Sequence, residues 1–350
     1  MLHRRIVLIA AFVLINCLSA DGETAVFGSD NRRPYDEASV SEREGLLNAT
    51  GSITCLDGTS GTGFVVDITD YIEGAQDFHV IATAAHVLYD DWTGDSRGKC
   101  AFRPASLPDK YLEIDERLVG ATRLKDVDSN DWAFARIDKP DDGFAAIRFV
   151  STRTNRFGAS SDPQLWAVGF VKKWGSLAVT SGCKPDNRPL YPALLRQKDE
   201  LAHMVIHNCD VLGSSRGGPL AIRKNGEFQT IAINSGGGGT KYEDLKGIPY
   251  DPKRNFYNHS RRFDKELEEK LIAFISRFAH IKNPSPRIKA RSELVRNIQS
   301  NLDRLGYDAG PIDGLMGRQT KEAIEAFQTT LGITPTGFVS EELLLLLKAR

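Results

Sequence analysis

Between about Gly51 and Phe263 the chain repeats one pattern, a short run of β-branched, aromatic and small apolar residues followed by turn residues and then another such run. Gly61–Val66, His79–Thr83, Trp132–Ile137, Leu165–Phe170, Ala202–Ile206 and Thr230–Asn234 are these runs, and no helical spacing of apolar residues falls between them. Many short strands separated by turns predict an all-β barrel or sandwich and argue against a parallel α/β sheet. At 350 residues, with 41% hydrophobic and 26% charged side chains, the chain has the length and composition of roughly two globular domains. A formal charge of −1, with no basic stripe interleaved with aromatics, leaves no electrostatic footprint for nucleic acid.

The first residues have a different logic. His3, Arg4 and Arg5 precede an apolar run from Ile6 to Ile15, and Leu18-Ser19-Ala20 follows it. This is the layout of a secretory signal peptide cleaved near Ala20, with residues 1–20 removed and a periplasmic or secreted product. The run is too short to anchor stably in a bilayer, and Asn16 before Cys17 does not suit a lipoprotein processing site. Cys55, Cys100, Cys183 and Cys209 then remain, an even number in an oxidising compartment. Two disulfides are expected, Cys55 with Cys100 and Cys183 with Cys209 by order along the chain. No Cys-x-x-Cys spacing supports a zinc site, and no metal or other cofactor is expected. Residues 21–50, rich in acids and carrying Arg32, Arg33 and Pro34, read as a polar lead-in that packs loosely.

Three stretches carry chemistry. Gly213-Ser214-Ser215-Arg216-Gly217-Gly218-Pro219-Leu220 packs serines among glycines, which is how a hydroxyl is set beside backbone N–H groups able to stabilise an oxyanion. The strand ending in Thr83-Ala84-Ala85-His86 brings a histidine in behind small residues. Asp131 opens the run Trp132–Ile137, where a carboxylate can orient an imidazole. Their chain order, His, Asp, Ser, is the one nucleophilic catalysis shows on a double β-barrel. The blander readings are a satisfied core histidine at His86 and a turn acid at Asp131, beside Asp126, Asp128 and Asn130.

Together these stretches resemble the trypsin-like serine peptidases, and His207-Asn208-Cys209-Asp210 resembles the lead-in of their bacterial glutamyl-endopeptidase branch. The similarity spans residues 50–265, within an expected peptidase domain at 51–280. It implies two β-barrels, His86 as general base, Asp131 as its orienting acid, and hydrolysis of peptide bonds in a protein or peptide substrate. The nucleophile depends on register. Counting back from Pro219, or forward from Cys209, places Arg216 where the serine belongs, and an arginine makes a catalytically inactive fold. Matching Gly213-Ser214-Ser215 to the family's glycine and serine makes Ser215 the nucleophile, with Gly213, Arg216 and Gly217 forming the oxyanion loop. That second register loops one residue out before Pro219, and it is the one favoured on sequence because His86 and Asp131 are both retained.

The resemblance also makes Asn234, Ser235 and Gly236 the edge on which a substrate strand is laid. Members that prefer glutamate carry a histidine just before that serine, and Asn234 here gives no support for such a preference. Gly236–Gly239 lacks the Lys-Ser/Thr and helix of a phosphate cradle.

Beyond the β-rich region, Leu267, Leu271, Ile272, Ile275 and Phe278 have the spacing of an amphipathic helix, and Asn283-Pro284-Ser285-Pro286 breaks it within an expected linker at 281–290. Residues 291–350 hold three further stripes: Val295, Ile298, Leu302 and Leu305; Ala323, Ile324, Phe327 and Leu331; and Leu343 to Leu347. Between the first two lies Gly306-Tyr307-Asp308-Ala309-Gly310-Pro311-Ile312-Asp313-Gly314. This wording, continued to Phe327-Gln328, resembles the peptidoglycan-binding domain, a small all-α three-helix module, and implies peptidoglycan as a partner. A generic three-helix bundle, with Asp308 and Asp313 as turn acids, is the plainer alternative.

Overall fold

The computed structural model describes residues 25–74, 76–123, 128–140, 145–150, 164–186, 202–238, 247–251, 257–282 and 286–350. The expected signal peptide, Asp126 and the linker residues Asn283, Pro284 and Ser285 lie outside them.

Two antiparallel sheets form the β-rich unit, in agreement with the all-β expectation. The first contains β2 (Thr50–Cys55), β3 (Ser60–Asp67), β4 (Phe78–Thr83), β5 (Cys100–Pro104), β6 (Leu112–Glu113), β7 (Arg117–Val119) and β8 (Ala133–Asp138), in the order β6-β5-β2-β3-β4-β8-β7. A short β9 (Ile147–Arg148) lies parallel to β3. The second is built from β1 (Arg33–Pro34), β10 (Leu165–Val171), β11 (Ser176–Cys183), β12 (Met204–His207), β13 (Pro219–Lys224), β14 (Glu227–Gly238) and β15 (Tyr257–Arg262), in the order β1-β11-β10-β13-β14-β15-β12. Each sheet curls about its own core. Ile53, Ile81, Phe102, Ala135 and Ile137 fill the first, and Leu165, Ala167, Val205, Leu220 and Ile231 the second.

A third core lies between the sheets, and it explains why the strands read as continuous apolar runs. Along β4, Ile81 points into the first core while Val80 and Ala82 face the space between the sheets. Phe134 does the same between Ala133 and Ala135 on β8. With alternate side chains both buried, alternation of apolar and polar residues disappears. Helix α3 (Lys265–Ile275) closes this middle core with Leu267, Leu271, Phe274 and Ile275, and Phe263 just before it stacks on Phe149 with ring centroids 3.9 Å apart. Its N-cap is Asp264, whose carboxylate accepts the Leu267 N–H.

The loosely packed lead-in is not what residues 25–50 form. Ala25, Val26, Phe27, Leu46 and Leu47 are buried, β1 pairs with β11, and α1 (Val40–Gly45) is held by a Ser39–Glu42 capping box. Glu42 also pairs with Arg33, an ion pair that together with the Ser39 hydrogen bonds brings its carboxyl down to about 2 against the pull of burial. Polar composition hid a segment that pairs with the second sheet through β1 and leads into β2: Asp30 pairs with Arg32 and Glu42 with Arg33, while Ala25, Val26 and Phe27 at one end and Leu46 and Leu47 at the other are buried.

The C-terminal unit has its own core. Helices α4 (Pro286–Arg304), α5 (Arg318–Thr330) and α6 (Glu341–Lys348) bury Ile298, Leu302, Ile324, Phe327, Leu343 and Leu347 against one another, so the three expected stripes do converge. Helix α4 starts at Pro286, inside the expected linker, because proline suits a first helical turn where its missing N–H costs nothing. Among the described residues no helix is long and apolar enough to cross a membrane.

Candidate functional site

His86 lies in the single helical turn α2 (Ala85–Leu88) that follows β4, and Asp131 precedes β8 on the neighbouring strand. Asp131 is 3% exposed and grips the histidine twice: Oδ1 accepts the His86 backbone N–H at 3.1 Å, and Oδ2 lies 2.8 Å from Nδ1. With Nδ1–H donating to the carboxylate, Nε2 is left as an acceptor, the tautomer a general base needs. Arg97, which the sequence did not single out, braces this turn from outside. Its Nε donates to the carbonyls of His86 and Tyr89, and its Nη1 to Asp57 and Thr59. The Cys55–Cys100 disulfide closes the strand pair beside it.

The serine-glycine loop is built from two consecutive turns. Gly213–Ser215 is a 3-10 turn in which Ser215 N–H donates to Leu212 O and Arg216 N–H to Gly213 O. A second turn follows directly: Gly218 N–H donates to Ser215 O, Arg216 has φ −62° and ψ 140°, and Gly217 has φ +86°. This is a type II turn, which requires glycine at its third position, with Arg216 at its second. Between Ser215 and Pro219 the chain runs through this turn, with Arg216 and Gly217 at its two central positions. The Ser215 hydroxyl accepts the Leu212 N–H, and the residue is 2% exposed against Gly169 of β10. Among the described hydrogen bonds none joins it to His86. Arg216 instead carries the contact with the first sheet, its carbonyl accepting the Thr62 N–H at 2.8 Å. Gly217 lies so close to Thr62, Thr83 and Ala84 that a β-carbon there would meet Thr62 O at 2.1 Å. The backbone N–H groups of residues 215 to 218 are all satisfied within the protein, Gly217 N–H by Asn234 O. None of the four is left to receive an oxyanion.

The remaining expected site residues gather around this loop with their side chains turned inward. Asn234 Nδ2 donates to Ser215 O, Ser235 Oγ accepts the Arg261 N–H, and Gly236 packs on the His259 ring. Among the described residues, β14 beyond Ile233 has β15 along one side only, so Ser235 to Gly238 retain an edge there. Thr62 has the largest structural role that the sequence did not reveal. Its hydroxyl donates to Ser214 O and accepts the Phe170 N–H, tying both sheets to the loop, and its only signal was a place between Gly61 and Gly63.

The lead-in to the loop is anchored on the far side. Cys183 and Cys209 are bonded, as expected from their order. His207 Nδ1 accepts the Cys209 N–H and Nε2 donates to Ser260 Oγ; complete burial, with His259 nearby, lowers its titration to about 3 and keeps it neutral. Asp210, pushed upward by burial, accepts two backbone N–H groups from the N-terminal segment, Phe27 at 2.8 Å and Asn31 at 3.0 Å. Asn258 completes the clamp by exchanging hydrogen bonds with both backbone groups of Ala25. At the start of α3, His203, Asp264 and Glu266 bring ligand-type atoms within 4.8 Å of one another, but Asp264 is engaged by Arg261 at 2.8 Å and by its N-cap bond, which makes the trio a helix-capping network.

Comparisons with known proteins match these parts separately. A Glu endopeptidase structure aligns over 71% of this chain and 97% of its own, with 14% identity and a TM-score of 0.47. The protease Anisep from Arthrobacter nicotinovorans aligns over 64% and 94%, with 16% identity and a TM-score of 0.45, and the thermostable serine protease AL20 over 64% and 94%, with 16% identity and a TM-score of 0.44. The "Putative OxPP cycle protein OpcA" of a Synechocystis species is 49% identical over 45 residues, so the chain spans a tenth of that relative's length. Residues 291–347 match the family model described as "Putative peptidoglycan binding domain".

Proposed function

We propose that this protein is an exported, catalytically silent trypsin-like fold that serves as a binding or scaffold protein at the cell wall, held there by its C-terminal module. The observation that supports this reading is the type II turn Ser215–Gly218, in which Arg216 holds the second position with its carbonyl accepting the Thr62 N–H, while Ser215 lies buried against Gly169. An arginine, always protonated, has no nucleophilic electron pair to offer. The internal use of the Arg216 and Gly217 N–H groups, two of the three residues of the expected oxyanion loop, supports the same reading, since stabilising the oxyanion is commonly the largest single contribution to acyl transfer. Export is supported by the signal-like N-terminus and the two disulfides, and wall association by the match of residues 291–347.

The intact His86–Asp131 pair favours a second reading, an active endopeptidase that rearranges the loop to use Ser215. Fluorophosphonate labelling and hydrolysis of a broad peptide library separate the two. The silent fold leaves the native chain unlabelled and inactive, and Ser215→Ala changes nothing. Labelling of the native chain that disappears in Ser215→Ala establishes the enzyme and removes this proposal. Arg216→Ser asks whether the base is still competent, and labelling gained by that variant alone places the missing nucleophile at 216.

A further inference from the structure

The leucines that run without a break from Leu343 to Leu347 cannot all face one core, because a helix turns about 100° with each residue. In α6, Leu343, Leu344 and Leu347 are buried with the side chains of α4 and α5, while Leu345 and Leu346 are left on the far side, 66% and 43% exposed. Glu342 and Ala349, about one turn before and after them on that side, are exposed as well. Phe338, just ahead of the N-cap Ser340, is 74% exposed. Adjacent leucines turned away from the core add nothing to the module's own packing and leave an apolar face uncovered.

The charges at the two ends of this face are ordered. Glu341 stands in the first turn of α6 and Lys348 in the last. They are seven positions apart, close to two full turns, so both flank the leucines on the same side of the helix. Both are exposed, and among the described residues neither takes part in an ion pair. Such a face is its own complement when turned end for end. A second α6 laid antiparallel across it brings leucine against leucine at the centre and each Glu341 against the partner's Lys348, whereas a parallel copy sets Glu341 against Glu341. We propose that α6 is a self-association surface, on which a second copy of this chain docks antiparallel about a two-fold axis. A surface meant for an unrelated partner has no need of charges that match their own reversal, and an isologous contact requires them. At 1.5 Å per residue the helix is only ~12 Å long, so the contact falls short of the ~800 Å² per partner of a standard interface, and the pairing is weak and sets in where copies are crowded. This inference does not depend on what the module binds. A pair presents two modules, so a repeating ligand held by one is held by both.

Sedimentation velocity of the full chain from about 5 to 500 µM, a range suited to weak pairing, tests this. A concentration-dependent passage from monomer to dimer is the expected result. Leu345→Gln alters a side chain outside the core and should weaken the dimer at least fivefold. Glu341→Lys and Lys348→Glu should each do the same, since each sets like charges against one another. Mixed in equal amounts, these two charge variants carry complementary faces and should pair as tightly as the native chain, which also shows that both are folded. A native chain that stays monomeric throughout overturns the proposal and leaves the face to a different partner. Association indifferent to Leu345→Gln overturns it by placing the contact elsewhere. Charge variants that pair as the native chain does, or a mixture that fails to recover, rule out the antiparallel arrangement and the proposal with it.

Discussion

Gly169 and Ser215 are packed so closely that a β-carbon added to the glycine would stand 2.1 Å from Ser215 Cβ. The serine is thereby held against the second sheet by a contact that any larger residue at 169 destroys. Gly169→Ala is expected to destabilise the protein by ~1–3 kcal/mol or more through overpacking, read from urea unfolding. Ser215→Gly in the same chain relieves the contacts with Cβ and Oγ but leaves Ser215 Cα at 2.5 Å, so recovery should be partial, and the double-mutant cycle measures the coupling. A neutral Gly169→Ala means the serine is free to turn, and the endopeptidase reading gains.

Asp210 makes a second expectation specific. It supplies the acceptors for the Phe27 and Asn31 N–H groups, and of these Phe27 is buried, so Asp210→Ala leaves one buried donor unsatisfied at about 1–3 kcal/mol and returns the exposed Asn31 N–H to water. Asn258→Ala removes the partner of both backbone groups of Ala25. Either variant should raise the rate of limited proteolysis around residues 28–33 well before it affects the C-terminal unit. Equal protection in the variants and the native chain would show that the segment is held by Phe27 and Val26 alone.

Acid should weaken the β-rich unit through His207. Its folded titration lies near 3, below its ordinary 6.5, so as pH falls the unfolded chain takes up a proton first. Stability from this group is complete above pH 6.5 and is lost progressively as pH drops from there toward 3. Between pH 7 and 4 the melting temperature of His207→Gln should fall less steeply than that of the native protein. Parallel slopes would assign the acid sensitivity to other groups.

The two disulfides carry different consequences. Cys183–Cys209 closes a span of 26 residues and fixes the entrance to the loop, whereas Cys55–Cys100 closes 45 residues within the first sheet. Replacing Cys183 and Cys209 together by serine should cost ~2–5 kcal/mol. It should also speed amide exchange at residues 209–218, which the equivalent change at Cys55 and Cys100 leaves nearly untouched. Peptide mapping without reduction checks the pairing itself.

How far these features could be read beforehand follows from how local each one is. His86 and Asp131 were legible because the small residues ahead of the histidine and the acid at a strand edge are neighbours of the residues they serve. The stripe Val295, Ile298, Leu302 was legible for the same reason, since one helix decides it. The register at Ser215 was not. Glycines and serines satisfy either count on paper, and the loop's shape depends on Thr62 and Gly169, more than forty residues away along the chain: Thr62 N–H donates to the Arg216 carbonyl, and Gly169 packs against Ser215. The N-terminal segment escaped notice because its partners, Asp210 and Asn258, are further still, and because no periodic pattern marks a strand of two residues.

That N-terminal clamp sets a timetable for synthesis. Ala25 is among the first residues of the β-rich unit to be made, yet its partner Asn258 is 233 positions later. Phe27 must wait 183 positions for Asp210. Contacts so distant carry a large loop-closure cost and form late. Until the last strand of the second sheet has been made, Ala25-Val26-Phe27 is a sticky apolar end with nowhere to dock, exposed to aggregation and to any holdase nearby.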